Sequence, residues 1–226
     1  MAADDASLDA LGQYALRFVK PGNTLGLGTG RAASAFIRAL GASGITVRGV
    51  PTSGASEELG RSVGIPIVTL KEAGRIDTDF DGADEVDPRL NLIKGYGGAL
   101  VREKIVAASS RRFVVLVGEE KMVPKLGHRG SLPVEVIPFG VSLATRMIKA
   151  LGLWPRIREH QGKTLVSDNG NLILDCGVKQ ISNPARLDRE LRAIPGVLGT
   201  GLFVAMADIV LVAESSGKIG ILKRKR

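Results

Sequence analysis

The stretch from Asp79 to Lys104 concentrates the residue types that acid–base chemistry requires. It reads "DFDGADEVDPRLNLIKGYGGALVREK". Asp81 and Asp84 flank Gly82 and Ala83 directly after a β-prone run, so both carboxylates can face one cavity. Close carboxylates repel each other, which raises one of their pKa values and suits the exchange of hydroxyl protons with a substrate. A solvated acidic turn and a cation site are the alternatives, but calcium-loop spacing is absent and we predict no metal.

A lysine and a glutamate follow these aspartates. Lys94 precedes "GYGG", where its ammonium group can lie near the carboxylates; an ordinary surface lysine is the alternative. Glu103 falls on a predicted helix, on an arc between apolar neighbours. Burial there raises a carboxyl pKa toward neutrality, as a general base requires. The alternative is a glutamate that caps the helix or pairs with Arg102 or Lys104, but neither of these basic residues lies on the same face of the predicted helix.

Two small-residue loops predict a site for an anion. "GLGTGRAA" connects a predicted strand to a helix N-terminus, whose free amides bind phosphate; an unliganded tight turn is the alternative. Gly26 and Gly28 match a dinucleotide fingerprint, but Arg31 occupies its third glycine position. The next strand ends at Thr52 and Ser53, and Ser53 fits either a pocket hydroxyl or a helix cap.

The elements around these loops alternate between strand and helix. The runs "TLGLGTG", "ITVRGV", "PIVTL" and "RRFVVLVG" are predicted strands, and "GGALVREKIVAAS" is a predicted helix. This alternation predicts an α/β fold with a mainly parallel, Rossmann-like sheet. From "VEVIP" to a final strand "VLGTGLFV" the order is βαββαβ, the ferredoxin-like unit. We expect an α/β catalytic domain at residues 1–130 and 207–226, and a smaller α+β domain at 131–206.

Composition narrows the class of partner. Of 226 residues, 44% are hydrophobic and 24% charged, which is typical of a globular protein, and the net charge of +8 favours anionic ligands. No basic stripe interleaved with aromatics is present, so a phosphorylated metabolite is favoured over nucleic acid. We interpret the basic run from Lys223 to Arg226 as a solvated tail, with tethering to an anionic surface as the alternative. The single cysteine, Cys176, is predicted to be a buried thiol.

Targeting signals are not evident. The N-terminal residues lack the continuous apolar segment of a secretory signal, and "GLFVAMADIVLVA" is short and interrupted by Asp208. We therefore expect a cytoplasmic protein without a membrane partner.

Six motifs together resemble the type A ribose-5-phosphate isomerase family over nearly the whole chain: "GLGTG", "DGADEVD", "IKGYGGALVREKIVA", "LPVEVIP", "DNGNLILD" and "IPGVLGTGLF". The resemblance implies that D-ribose 5-phosphate and D-ribulose 5-phosphate are interconverted through a cis-enediol, without a cofactor, in the non-oxidative pentose phosphate pathway. It also implies a homo-oligomer, commonly a dimer.

The resemblance assigns roles by position. Glu103 matches the base that moves a proton between C1 and C2, and Asp81 and Asp84 match the pair that helps to open the sugar ring and handles hydroxyl protons. Lys94 matches the lysine that stabilises the enediolate oxygen. The substrate-binding positions implied by the motifs are Thr29, Gly30, Arg31, Ala32, Gly82, Ala83, Gly95, Tyr96, Gly97 and Lys121.

The chain departs from the family pattern at three places. Arg31 and Ala32 replace two hydroxyl residues, and the Arg31 guanidinium can bind phosphate bidentately. The three glycines that usually follow the lysine are here Gly95, Tyr96 and Gly97, so Tyr96 makes this glycine loop bulkier. The segment "SLDALG" lacks a lysine that often contributes to the site in the family.

Two other functions stay open. One is a non-catalytic sugar-phosphate sensor, although we expect no room for a DNA-binding helix pair before Thr24 and the retained ionisable residues favour catalysis. The other is an isomerase or deaminase acting on a different sugar phosphate.

Overall fold

The computed structural model describes residues 3–224, which form two compact units. The first contains residues 3–83, 102–122 and 206–224, and the second contains 84–101 and 123–205. Lys225 and Arg226 of the basic C-terminal run lie outside the described residues. No described helix is both long and apolar enough to cross a membrane.

Strands and helices alternate along much of the chain. The strands are β1 (Thr24–Leu27), β2 (Arg48–Pro51), β3 (Thr78–Gly82), β4 (Glu85–Val86), β5 (Leu92–Ile93), β6 (Phe113–Gly118), β7 (Ser131–Val136), β8 (Trp154–Ile157), β9 (Glu159–His160), β10 (Lys163–Thr164), β11 (Leu172–Gly177), β12 (Val197–Thr200), β13 (Leu202–Phe203), β14 (Ile209–Ala213) and β15 (Ile219–Lys223). The α-helices are α1 (Asp5–Ala15), α2 (Arg31–Ala42), α3 (Gly54–Ser62), α4 (Leu70–Ala73), α5 (Leu100–Ala108), α6 (Val141–Ala150) and α7 (Pro184–Arg192). Short 3-10 helices lie at Leu16–Phe18, Glu119–Lys121 and Pro138–Gly140.

The first unit is built on a six-stranded sheet in the order β15-β14-β6-β3-β1-β2. Every pair is parallel except β14 with β15. Phe36 of α2 stacks on Phe80 of β3 with ring centroids 4.1 Å apart, and both rings are fully buried. Because parallel strands end at a common edge, the loops after β1, β2 and β3 lie side by side.

The second unit contains a four-stranded antiparallel sheet in the order β12-β7-β11-β8. With α6 and α7 between its strands, it has the ferredoxin-like βαββαβ order. Cys176 lies in its core, and burial raises the pKa of this thiol to about 12. The predicted fold class, a parallel α/β sheet with a smaller ferredoxin-like part, is confirmed.

Two predicted strands differ from the structure. "PIVTL" forms only one bridge, Gly49 to Ile67, because Pro66 has no amide donor and Thr69 then caps α4. "VLGTGLFV" is two strands in different sheets. The Gly201 amide donates to the Pro133 carbonyl at 2.7 Å, but Pro133 has no amide to donate in return, so the pairing of β12 with β7 ends there.

The end of the chain also holds a strand that we did not predict. β15 pairs antiparallel with β14 over five residue pairs from Ile209–Lys223 to Ala213–Ile219. The sheet of the first unit is therefore mixed at this edge, and not parallel throughout.

Candidate active site

Two glycines, Gly26 of β1 and Gly28 directly after it, make room for acidic side chains on β3. A Cβ atom at Gly26 would overlap the Asp79 carboxylate, and one at Gly28 would overlap the Asp81 carboxylate. Only glycine fits both positions without displacing a neighbour. The partial match to a dinucleotide fingerprint thus has a different cause: these glycines accommodate the protein's own carboxylates.

Asp81 is fully buried at the end of β3. Its Oδ1 atom accepts hydrogen bonds from the Thr29 amide at 3.0 Å and from the Gly82 amide at 2.7 Å. Amide donors on two sides fix the orientation of the carboxylate. The structure thereby brings together three predicted site residues, Thr29, Asp81 and Gly82, with Ala83 next in sequence.

Three hydroxyl groups meet beside this carboxylate. Thr29 Oγ1 lies 2.8 Å from Thr52 Oγ1 and donates to Ser53 Oγ at 2.7 Å. Ser53 also caps α3, accepting from the Ser56 amide at 3.1 Å. The choice between a pocket hydroxyl and a helix cap is therefore not exclusive. The family motifs do not name Thr52 and Ser53 as site residues, and the sequence signal for them is their place at the end of a strand.

The N-terminus of α2 is a potential phosphate site. Gly30 occupies the N-cap position at φ 104° and provides no side-chain cap for the first helical amides. Arg31, which was expected to face a phosphate, instead donates to Asp5 Oδ1 at 2.8 Å and to the Ala3 carbonyl at 3.1 Å. This contact raises the pKa of the Arg31 guanidinium. Ala32 is half-buried.

Glu103 is 4% exposed and lies in the first turn of α5. One turn later, Val106 packs in an apolar cluster with Val50, Ala73 and Ile76. The glutamate thus occupies the buried face of its helix, within the first unit.

Lys121 ends the 3-10 helix Glu119–Lys121 and is half-buried. A neighbouring cavity of about 590 Å³ is lined by Glu119, Glu120 and Glu214. These acidic walls disfavour an anion, and Lys121 does not line the cavity.

Asp84 and the glycine loop belong to the second unit. Asp84 Oδ2 accepts a hydrogen bond from the Tyr96 amide at 3.0 Å, and the Asp84 amide donates to the Ile93 carbonyl at 2.8 Å. Gly95 has a φ of 106°, which strongly favours glycine, and Gly97 is exposed. Partial burial, with the nearby Asp84 charge, raises the pKa of Tyr96 to about 12, and its hydroxyl donates to the Ser131 carbonyl at 3.2 Å.

Lys94 is 2% exposed, in contrast to the surface alternative. Its amide donates to the Gly201 carbonyl at 2.9 Å, and a Cβ atom at Gly201 would overlap the Lys94 carbonyl oxygen. The ammonium nitrogen lies 5.5 Å from the centre of the Phe203 ring, a cation–π geometry. Both the backbone and the ammonium group of this buried lysine are therefore held in a defined position.

The other two acidic residues of "DGADEVD" support loops. Glu85 is fully buried and accepts amide hydrogen bonds from Gly127, His128 and Arg129 at 2.6, 3.2 and 2.6 Å. Asp87 accepts three more, from the backbone of the turn at 89–91 and the side chain of Asn91. The crowding of carboxylates therefore has two causes: two candidate catalytic groups and two structural ones.

The comparison with known proteins decides the family. Residues 48–217 match the family model described as ribose 5-phosphate isomerase A (phosphoriboisomerase A). The ribose-5-phosphate isomerase A of Roseiflexus sp. is 47% identical over 211 residues, which cover 91% of each chain. The chain belongs to the ribose 5-phosphate isomerase A family.

Solved structures of ribose 5-phosphate isomerases share the fold. The enzyme from Methanocaldococcus jannaschii aligns with a TM-score of 0.92 at 40% identity, covering 98% of this chain and 100% of that one. A D-ribose-5-phosphate isomerase in complex with phospho-erythronic acid aligns at 0.94 and 37% identity, with coverage of 98% and 100%. The ribose 5-phosphate isomerase A fold thus extends over both units.

The candidate residues divide between the units: Thr29 to Ala32, Asp81 to Ala83, Glu103 and Lys121 lie in the first, and Asp84 and Lys94 to Gly97 in the second. Among residues 3–224, no three His, Cys, Asp or Glu side chains are grouped to hold a metal ion.

Proposed function

We propose that this protein interconverts D-ribose 5-phosphate and D-ribulose 5-phosphate through a cis-enediol. The observation that carries the proposal is the burial of three ionisable side chains, Asp81, Lys94 and Glu103, in a member of this family. Burial of charged groups costs free energy, and proteins retain such groups mainly where they are paired or functional.

The proposed chemistry needs only proton transfers. Once the sugar ring is open, Glu103 removes the C2 proton of the aldose, and the electron pair forms the C1–C2 double bond of an enediolate with charge on O1. Lys94 stabilises that oxygen. O1 then takes up a proton, which gives the cis-enediol. The same glutamate returns a proton to C1 while O2 loses its proton and forms the carbonyl, which gives the ketose. Asp81 and Asp84 carry the hydroxyl protons during ring opening and enediol formation.

Binding of the phosphate is assigned to the first unit. The uncapped α2 N-terminus at Gly30 and the hydroxyls of Thr29 and Ser53 provide neutral donors, and Arg31 and Lys121 provide charge. A relative that is 37% identical was solved with phospho-erythronic acid, whose carboxylate is planar like an enediolate. We expect this protein to bind the same compound competitively with substrate.

We also infer the setting of the reaction. A pentose phosphate substrate and product place the protein in the non-oxidative pentose phosphate pathway, and we propose a homodimer in the cytoplasm. Gel filtration with light scattering tests the oligomer: a mass of twice 23.8 kDa is expected.

The experiment that tests the function measures ribulose 5-phosphate formation from ribose 5-phosphate, with and without a chelator. We expect activity in both conditions, and a loss of about 1,000-fold in kcat for Glu103→Gln, which keeps the shape of the side chain but removes the base. Glu58→Gln, on the exposed face of α3, is the matched control and should retain activity. An inactive parent that still binds the sugar phosphate would instead indicate a sensor or a different substrate.

A further inference from the structure

Arg158 lies far in sequence from every candidate site residue, between β8 and β9 of the second unit. Its backbone is anchored on both sides: the Arg158 amide donates to the Ile173 carbonyl at 2.8 Å, and the Leu165 amide donates to the Arg158 carbonyl at 2.9 Å. The backbone of Arg158 is therefore fixed, which limits the positions that its guanidinium group can occupy.

The guanidinium forms a two-pronged ion pair with Asp175 of β11. Nε donates to Asp175 Oδ2 at 2.8 Å and Nη2 donates to Oδ1 at 2.5 Å. The Arg158 side chain is 10% exposed and that of Asp175 is 34% exposed. This fork fixes the plane of the guanidinium and leaves its third nitrogen pointing along one direction.

The third nitrogen holds the glycine loop. Arg158 Nη1 donates to the Gly95 carbonyl at 2.7 Å and to the Tyr96 carbonyl at 3.0 Å. These are charge-assisted hydrogen bonds to two consecutive peptide groups, and together they fix the peptide planes of the loop. The Gly95 carbonyl also accepts from the Gly98 amide at 3.0 Å, which closes the turn.

The same loop contacts two proposed catalytic residues. Lys94 directly precedes Gly95, and the Tyr96 amide donates to Asp84 Oδ2 at 3.0 Å. The peptide plane between Gly95 and Tyr96 carries the amide that binds Asp84 and the carbonyl that binds Arg158. Rotation of that plane would break both contacts, because the amide and the carbonyl belong to one rigid group.

We propose that Arg158, oriented by Asp175, is a positioning residue for the isomerisation site: it fixes the Gly95–Tyr96 peptide so that the Tyr96 amide holds Asp84 in its working orientation. The inference rests on the proposed function, because it assigns a role to Asp84 in that reaction. It adds a residue pair that touches neither substrate nor the reacting atoms.

The test compares four variants for kcat, KM and melting temperature. Arg158→Met keeps much of the side-chain volume and removes all donors, and Arg158→Lys keeps one charged donor but loses the fork. Asp175→Asn keeps the shape and weakens the fork. Arg156→Met is the control. Arg156 lies on β8 and is exposed, and among the described residues it donates no hydrogen bond to the glycine loop.

We expect Arg158→Met to lose about 100-fold in kcat, the typical effect of misplacing a reacting group by about 1 Å, with KM within about threefold of the parent. KM is preserved because the phosphate donors belong to the first unit. Arg158→Lys and Asp175→Asn should fall between this variant and the parent, and Arg156→Met should match the parent.

The outcomes separate this inference from the proposed function. An active parent with unchanged kcat in folded Arg158→Met overturns the positioning role alone, as does an equal loss in Arg156→Met. If Arg158→Met does not fold, Arg158→Lys and Asp175→Asn decide, and parental kcat in both overturns the role. A parent that does not isomerise ribose 5-phosphate overturns the proposed function, and the positioning role with it.

Discussion

Asp81 shows how a single carboxylate constrains the chain around it. It lies fully buried at the end of β3, where the Thr29 and Gly82 amides bind one oxygen. The space for it exists only because residue 28 has no Cβ atom. Gly28 after β1 and Asp81 of β3 are therefore parts of one candidate site.

Gly28→Ala should disturb this arrangement. The added methyl group would overlap the Asp81 side chain, so we expect a loss of about 1–3 kcal/mol in the free energy of unfolding and a lower kcat. Urea denaturation and the isomerase assay measure the two effects. Gly82→Ala is the matched control for stability, because its nearest contacts would be at an ordinary 3.7 Å. Equal stability of the two variants would contradict the steric explanation.

Arg31 provides a second test at this scale. It pairs with Asp5 at 2.8 Å, with both side chains mostly exposed, and a phosphate dianion can compete with such a surface pair. If Arg31 binds the substrate phosphate, Arg31→Ala should raise KM about tenfold, the value of one charge-assisted contact. Asp5→Asn, which releases the guanidinium, should not raise KM. Unchanged KM in Arg31→Ala would leave the helix amides and hydroxyls as the phosphate donors.

At the scale of the elements, two carboxylates of the acidic stretch "DGADEVD", Glu85 and Asp87, fix short loops by accepting hydrogen bonds from backbone amides. Glu85 of β4 binds three consecutive amides at residues 127–129, so it closes a loop of the second unit. Because a carboxylate has acceptor capacity on both oxygens, it satisfies donors that would otherwise be buried without partners.

Glu85→Gln should therefore destabilise the protein. The amide nitrogen of glutamine cannot accept a hydrogen bond, which leaves at least one buried donor unpaired and costs about 1–3 kcal/mol. Urea denaturation measures the loss, and Glu159→Gln, on the exposed strand β9, is the control. A loss of kcat without a loss of stability would contradict the structural role of Glu85.

Periodicity predicted the elements better than their ends. The helix expected from residue 97 begins at Leu100, because Gly98 adopts a φ of 88°. The strand expected in "PIVTL" was wrong because local capping by Thr69 and Glu72 starts a helix there. Such competition between local hydrogen bonds and sheet pairing is not visible in hydrophobic spacing.

At the scale of the whole molecule, the family predicted from the motifs is confirmed. The motifs do not predict the contacts that hold the candidate site residues in place. Nothing in the spacing of Arg31 indicated an ion pair with Asp5, and nothing connected Arg158 to the loop at 95–96. Such contacts depend on residues that are distant in sequence and become neighbours only in the fold.

The net charge of +8 predicts that substrate capture depends on salt. Raising the ionic strength from about 0.01 to 1 M shortens the Debye length from about 30 to 3 Å, so we expect kcat/KM to fall at least about threefold with little change in kcat. Steady-state assays in increasing NaCl measure this effect, with sucrose at equal osmolality as the control. A salt-independent kcat/KM would show that the charge does not assist capture.

The most direct test of the proposed mechanism follows the proton that Glu103 is proposed to move. Ribose 5-phosphate is incubated with the protein in deuterium oxide, and NMR measures deuterium at C2 of the aldose and C1 of the ketose. We expect incorporation by the parent, because a proton on Glu103 exchanges with solvent, and a loss of about 1,000-fold in the rate for Glu103→Gln. Incorporation by Glu103→Gln at the parental rate would contradict the assignment of Glu103 as the base.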